Sequence, residues 1–234
     1  MYEELVVVAL GGNAIKQSAQ KGTTEEQFKN VDITAKQITR ICKSGYLQVL
    51  THGNGPQAGA LLIQQEAAKD IVPPQTLACC GAMTQGQIGW MFQNRIGYHF
   101  SQEGLDYPVA AMITQVVVDK DDPDFQNPSK PVGPFYTEEA AMALKNEKGY
   151  IVKEAKPGQD KGWHRVVPSP KPVDIYEKKR SNSCLILRHW LSFPVAAAFP
   201  LSRKMTAAIP VLMPLSIKIS LPINWARYSM PITC

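Results

Sequence analysis

Two short apolar runs, each closed by a glycine turn, dominate the hydrophobic pattern. Leu5-Val6-Val7-Val8-Ala9-Leu10 runs directly into Gly11-Gly12-Asn13-Ala14, and Leu47-Gln48-Val49-Leu50-Thr51 runs into His52-Gly53-Asn54-Gly55-Pro56-Gln57. Aliphatic runs without strict alternation suit strands buried on both faces of a parallel sheet. Turns at the carboxyl ends of such strands are where open α/β sheets bind ligands. Glycine there lets backbone N–H groups approach a phosphate or small anion, and a following helix N-terminus adds favourable potential. Either turn alone also suits an ordinary strand-to-helix connection; the pair points to an anion site.

The spacing between and after these runs predicts helices. Over 24–44, Phe28, Val31, Ile38, Ile41 and Cys42 share one face, Thr24 and Gln27 have capping-box spacing, and Gly45 suits the position just past the end. Pro56 is placed to start a helix over 56–69. A long helix is predicted over 83–102, where Gly86 and Gly89 suggest close packing against another helix. Residues 109–118 read as a third buried strand.

The texture changes at 119. The stretch 119–130 is rich in Asp, Pro and Asn, and Lys130-Pro131-Val132-Gly133-Pro134 excludes regular helix. A short helix over 137–146 precedes Tyr150-Ile151-Val152, and 156–162 is loop-like. Residues 119–165 thus read as a small protruding subdomain, with the chain rejoining the main sheet at 165–172. The fold class these elements suggest is α/β with a mainly parallel sheet. The lobe that holds the glycine turns comprises 1–118 and 166–177.

Composition adds one decisive asymmetry. The chain has 234 residues, is 44% hydrophobic and 19% charged, and carries a net charge of +5, all compatible with a globular protein. Residues 178–234 hold no Asp or Glu against eight Lys and Arg, so 1–177 carry 17 basic and 20 acidic residues, a net of −3. The tail's basic residues are scattered and prolines interrupt it, which argues against a nucleic-acid or membrane-surface module. Five cysteines without CxxC spacing suit reduced thiols. The acidic N-terminus is not a signal peptide, and the stretch 184–201, broken by Arg188, His189 and prolines, is a poor membrane span. A cytoplasmic location is expected.

The ordered set VVVALGGNAI (6–15), THGNGPQAGALL (51–62), GAMTQGQIGWMFQN (81–94), ITQVVVDKDDPDFQNPSKPVGPFYTEEAA (113–141) and GWHRVVPSPKPVDI (162–175) resembles carbamate kinase, of the amino-acid-kinase fold family. The resemblance covers nearly all of 5–177 and implies an α/β/α sandwich with a mainly parallel sheet, incomplete here, and a protruding subdomain over the active site. It implies phosphoryl transfer between ATP and carbamate with Mg²⁺, the reverse reaction consuming carbamoyl phosphate and ADP, often in arginine breakdown, and a homodimer. By the same resemblance Gly11, Gly12, Gly53 and Gly55 supply backbone donors to carbamate and phosphoryl oxygens, and Asn13 and Asn54 add side-chain amides. Lys130 brings a positive charge over the reacting phosphate, and Lys171, between prolines, lies toward the nucleotide.

Other groups read as structural. Carbamate is already anionic and needs no base, so His52 is structural. Asp119, Asp121, Asp122 and Asp124 read as a solvated loop rather than a metal site. Trp90 and Met91 read as core or dimer contacts. The reading from another class is a non-catalytic protein that binds carbamoyl phosphate or a small anion.

After Glu177 the resemblance stops. The family should continue with a glycine-rich nucleotide loop, GGGGIPV, and an IDKD segment, and neither appears. A one-base offset with permitted synonymous codons recovers them: residues 195–201 yield GGGIPV, 214–222 yield VIDKDFAS, and 178–183, read on into the first two bases of codon 184, yield EAIKLL. Three matches in one frame and in family order point to a frameshifted translation from about Lys178, an aberrant tail replacing the nucleotide lobe. Buried strands of the first lobe should then lose sheet neighbours.

Overall fold

The computed structural model describes residues 4–177 and 190–194. Strand β1 (Glu4–Leu10) ends in a 3-10 turn (Gly12–Ala14) and leads to helix α1 (Thr24–Lys43). Strand β2 (Tyr46–His52) opens into α2 (Gly55–Ala67), and α3 (Leu77–Gln102) follows. Then come β3 (Val109–Ala111), β4 (Val116–Val118), a second 3-10 turn (Pro123–Phe125), β5 (Lys130–Tyr136) and α4 (Glu138–Lys148). Strands β6 (Val152–Glu154), β7 (Trp163–Val167), β8 (Pro172–Ile175) and β9 (Trp190–Pro194) complete the set.

The main sheet has the order β1-β2-β9-β3, and every pairing in it is parallel. Helices α1 and α3 pack on one face. Val8, Leu10, Leu47 and Leu50 from the sheet meet Val31, Ala35 and Ile38 of α1 and Ile88, Met91, Phe92, Ile96 and Phe100 of α3. Phe92 is fully buried there, and its truncation to Ala would cost about 3–5 kcal/mol. The expected two-sided burial of β1 is not seen among the described residues, because Leu5 and Val7 on the opposite face stay 40% exposed. With side chains alternating along a strand, the α1–α3 layer can cover only one set of them.

Local signals landed within a few residues of the expected ends, with informative shifts. The capping box of α1 is Thr23 and Glu26, one residue earlier than expected. Glu26 N donates to Thr23 Oγ1 at 3.3 Å, and Glu26 Oε2 accepts from Thr23 N at 3.0 Å. Gly45 takes φ 91° and ends the helix as expected. α3 starts six residues earlier than the expected 83, capped by Thr76. Gly89 of α3 approaches a strand, not a helix: a Cβ there would lie 2.8 Å from Ala111 Cβ, while at Gly86 nothing lies within 4 Å. The expected strand over 109–118 is two strands. Between them the Gln85 side chain accepts from Thr114 N at 2.9 Å and donates to Thr114 O at 3.3 Å, so a side chain of α3 replaces a strand neighbour.

The protruding part is a three-stranded antiparallel sheet, β5-β7-β6, with α4 beside it. Re-entry to the main sheet at 165–172 does not occur. β7 stays with β5 and β6, so the boundary expected after 165 falls inside a strand. β8 pairs antiparallel with β4 in a separate two-stranded sheet. Pro168, Pro170 and Pro172 lack the N–H groups that a central parallel ladder requires. Residues 1–3, 178–189 and 195–234 lie outside the described residues, and with them all three offset-frame matches. Inside the expected tail, β9 pairs with both β2 and β3. Those two strands therefore keep a shared neighbour, contrary to expectation; the ladder is made of main-chain groups and is tolerant of side-chain identity.

Candidate active site

The two glycine turns are neighbours. β1 and β2 run in register from Glu4↔Tyr46 to Leu10↔His52, so both strands end on the same rung. Strand spacing alone then sets the starts of the turns roughly 5 Å apart. In the first turn Gly11 adopts φ −69° and ψ 165°, and its carbonyl accepts from Ala14 N at 3.0 Å. Gly12 O accepts from Ile15 N and Lys16 N. Ile15, fully buried, anchors the turn, while Gly11, Gly12 and Asn13 are exposed. Neither Gly11, Gly12 nor Gly55 has a positive φ, and a Cβ on any of the three would meet nothing within 4 Å. The chain's own backbone and packing therefore do not require glycine at these positions. What glycine leaves is open space beside backbone donors.

The second turn is more enclosed. Asn54 precedes α2 but makes no side-chain cap. It is completely buried, and its Nδ2 donates to Thr84 Oγ1 at 2.9 Å and Gly81 O at 3.3 Å. The amide predicted to face substrate is thus committed to α3, and Oδ1 is left without a partner. The first N–H groups of α2 lack intrahelical acceptors, as in any helix, and Pro56 removes one of them. His52, 2% exposed, contacts Gly53 O through Nδ1 at 3.2 Å. Burial pushes its pKa down to about 4, against the opposing pull of that hydrogen bond. A buried neutral imidazole agrees with the structural role expected for it.

Lys130 opens β5 and pairs with Val167 at the end of the β5–β7 ladder. Alternation places Lys130 on the same side of β5 as Val132, which packs against Ala58 in the first turns of α2. Among the described residues Lys130 makes no ion pair. Lys171 is exposed, and its backbone N donates to Asp122 at 3.0 Å. A cleft of about 450 Å³ between α1 and α2 is lined by Lys16, Thr23, Gln27, Gln57 and Gln64 among others, and by none of the predicted residues. The glycine-turn residues sit instead at the open tips of β1 and β2, while Lys130 and Lys171 lie on the smaller sheets and on the segment that follows them.

The acidic loop differs from its expected solvated state. Asp119 and Asp121 are exposed, but Asp122 and Asp124 are half-buried and accept backbone hydrogen bonds. Bonds from the Lys171 and Asp124 amides hold the Asp122 carboxyl below its ordinary range. Among the described residues no group of three or more His, Cys, Asp or Glu can hold a metal ion. Sequence reasoning missed Asp122 and Asp124, although Asp122-Pro123-Asp124 carries a turn signal. It also missed Thr84 and Gly81, whose link to Asn54 spans about 30 residues and leaves no local trace.

Parallel strands that end in glycine turns at one sheet edge, with a small antiparallel sheet set against α2, define an α/β protein of the amino-acid-kinase fold. No family model matches the chain. It is 52% identical over 185 residues to the carbamate kinase of Thermococcus kodakarensis, covering 74% of this chain and 58% of that protein. Over 171 residues it is 50% identical to the carbamate kinase of Pyrococcus horikoshii, covering 72% of this chain and 54% of that protein. The carbamate kinase of Giardia lamblia, thiocarbamoylated by disulfiram on one of its cysteines, superposes with a TM-score of 0.80 at 36% identity, over 90% of this chain and 68% of that one. The same enzyme bound to AMP-PNP gives a TM-score of 0.79 at 36% identity, over 90% and 66%. The chain belongs to the carbamate kinase family. It spans little more than half the length of the curated relatives it matches.

Proposed function

We propose that the reading frame behind this chain encodes an ATP-dependent carbamate kinase, transferring a phosphoryl group between ATP and carbamate and forming ATP from carbamoyl phosphate and ADP in reverse. The observation that carries this is the common last rung Leu10↔His52, which sets both glycine turns side by side. Gly11, Gly12, Gly53 and Gly55 offer backbone N–H groups to the oxygens of the small anion, with Asn13 beside them. Lys130 neutralises charge on the transferred group, and Lys171 faces the nucleotide. Carbamate is already ionised, so buried His52 holds the turn and moves no proton. When bound, ATP with Mg²⁺ supplies the phosphoryl group. The open space at Gly11, Gly12 and Gly55 fits phosphoryl oxygens. Mg²⁺ commonly enters such sites on the nucleotide's own phosphates. The Giardia enzyme's AMP-PNP complex supports ATP as the cofactor.

We further propose that 178–234 is a frameshifted tail, so this chain lacks the nucleotide lobe and turns over poorly. The curated relatives cover only about three quarters of this chain, which agrees with a resemblance that stops near Glu177. Resequencing codons 175–182 tests the shift. Coupled assay of ATP formation from ADP and carbamoyl phosphate, on this chain and on one with the frame restored after Glu177, tests the function. Activity only in the restored chain is expected. Equal rates would refute the tail reading, and an inactive restored chain would refute the kinase reading.

A cytoplasmic homodimer acting in arginine breakdown completes the proposal. Among the described residues no helix is long and apolar enough to cross a membrane. Trp90 is 55% exposed on α3, edge-on to Phe28 of α1 at 5.1 Å. Such a surface suits a second copy. Met91, by contrast, is core.

A further inference from the structure

The segment Pro168-Ser169-Pro170-Lys171-Pro172 contains only two backbone N–H groups, those of Ser169 and Lys171. Each is taken by one carboxylate. Asp124 Oδ2 accepts from Ser169 N, and Asp122 Oδ2 accepts from Lys171 N at 3.0 Å. The two acids are themselves linked, since Asp122 Oδ1 accepts from Asp124 N at 2.9 Å. The other oxygen of Asp124 accepts from Ser129 Oγ at 2.9 Å.

Their position along the ladder gives this arrangement its consequence. Lys130↔Val167 is the final rung of the β5–β7 pairing. Beyond it the strands can no longer hold each other, because Pro168 and Pro170 have no N–H to give. Ser129 lies one residue past the rung on one side and Ser169 two past it on the other. The Asp124 carboxylate bridges them. Hydrogen bonds to an ionised carboxylate are roughly twice as strong as neutral ones, so the bridge is a firm substitute for the missing ladder.

We propose that Asp122 and Asp124 are positioning residues that tie the Ser129 side chain next to Lys130 to the Ser169 and Lys171 backbone amides, and so fix where both ammonium groups are presented. This rests on the reading of the two lysines given under Proposed function. The acids touch neither phosphate nor nucleotide. They act through the lysines, and their own charge would repel an anion if they faced it. The clamp accounts for acids beside a site that binds anions: their charge is spent on backbone N–H groups.

The test uses the full chain and its variants Asp124→Ala, Asp124→Asn, Asp122→Ala, Lys130→Ala and the double variant Lys130→Ala/Asp124→Ala. Amide hydrogen exchange is read on peptides covering 127–136 and 167–177. Asp124→Ala should speed exchange in both by at least about tenfold while α1 and α3 stay protected. Asp124→Asn, which keeps one acceptor, should restore part of the protection. Carbamoyl phosphate binding is measured by calorimetry. Asp124→Ala should weaken it about tenfold in the parent but less than about twofold once Lys130 is gone. Unchanged exchange, or losses that add fully in the double variant, would overturn the clamp. Absence of binding by the parent chain would instead refute the site reading and the lysine-directed half of this proposal with it, and exchange would still decide the backbone half.

Discussion

His52 Nδ1 lies 3.2 Å from the carbonyl oxygen of the next residue, Gly53. A carbonyl only accepts, so Nδ1 carries the proton and Nε2 carries the lone pair, buried and without a partner. Protonating Nε2 would bury an uncompensated charge, which is why the pKa falls to about 4 from an ordinary 6.5. The unfolded chain binds the proton more readily, so stability is full above about pH 6.5 and declines as pH falls toward 4. The loss amounts to about 3 kcal/mol. Thermal melts across this range should show that slope, and His52→Gln should flatten it. An unchanged slope in the variant would locate the acid sensitivity elsewhere.

Glycines without an internal reason separate binding from folding. Gly12→Ala and Gly55→Ala meet no neighbour within 4 Å and no positive φ. Each should leave stability unchanged or raise it by about 0.4–1 kcal/mol through lower unfolded-state entropy. Each should nevertheless weaken carbamoyl phosphate binding by roughly tenfold, because the new methyl group occupies the space left for the anion. A melting temperature that rises while affinity falls would mark these positions as kept for the ligand. A joint fall in both would assign the glycines to the fold.

What was legible in the sequence follows from range. The β1 and β2 runs, their glycine turns and the amphipathic α1 face announce themselves within a dozen residues, and all stand where expected. The break of 109–118 into β3 and β4 depends on Gln85, almost thirty residues upstream, and no local pattern carries it. The same distance hides Asn54 behind Thr84. Asp122 and Asp124 read as solvated because charge in a Pro-rich loop usually is, and only the proline-starved partner strand explains why they are not. Whether β1 is covered on both faces depends on which helices pack against it, and not on the run Leu5–Leu10 itself.

Asp32 of α1 joins two cations and a histidine from two helices. Its carboxylate contacts Arg95 Nε at 2.7 Å, His99 Nε2 at 2.8 Å and Lys36 Nζ at 3.2 Å. Burial favours the neutral acid, but the bonds from Arg95, His99 and Lys36 outweigh it and hold the pKa down to about 2. The contribution is present above the ordinary carboxylate pKa near 3.8 and is lost as pH falls from there to about 2. This window lies below that of His52, so acid unfolding should show two separable slopes. Asp32→Asn should remove the lower one and cost about 1–2 kcal/mol at neutral pH, read by chemical denaturation.

Lys130 is the residue on which the phosphoryl-transfer reading turns. It shares a strand face with Val132, which is seated on Ala58 of α2, and among the described residues it has no ion-pair partner to lose. Replacement by Ala should therefore barely move the melting temperature. Loss of a charge-assisted contact to a phosphoryl oxygen should weaken carbamoyl phosphate binding by about ten- to a hundredfold, corresponding to about 1.5–3 kcal/mol. In the frame-restored chain the same substitution should lower kcat more than it raises KM, because charge on the transferred group is greatest in the transition state. Lys130→Arg keeps the charge but not the compact ammonium, and should recover binding better than turnover. A Lys130→Ala chain that binds and turns over like its parent would remove the cation from the mechanism and leave the glycine turns as an anion cradle without a catalytic lysine.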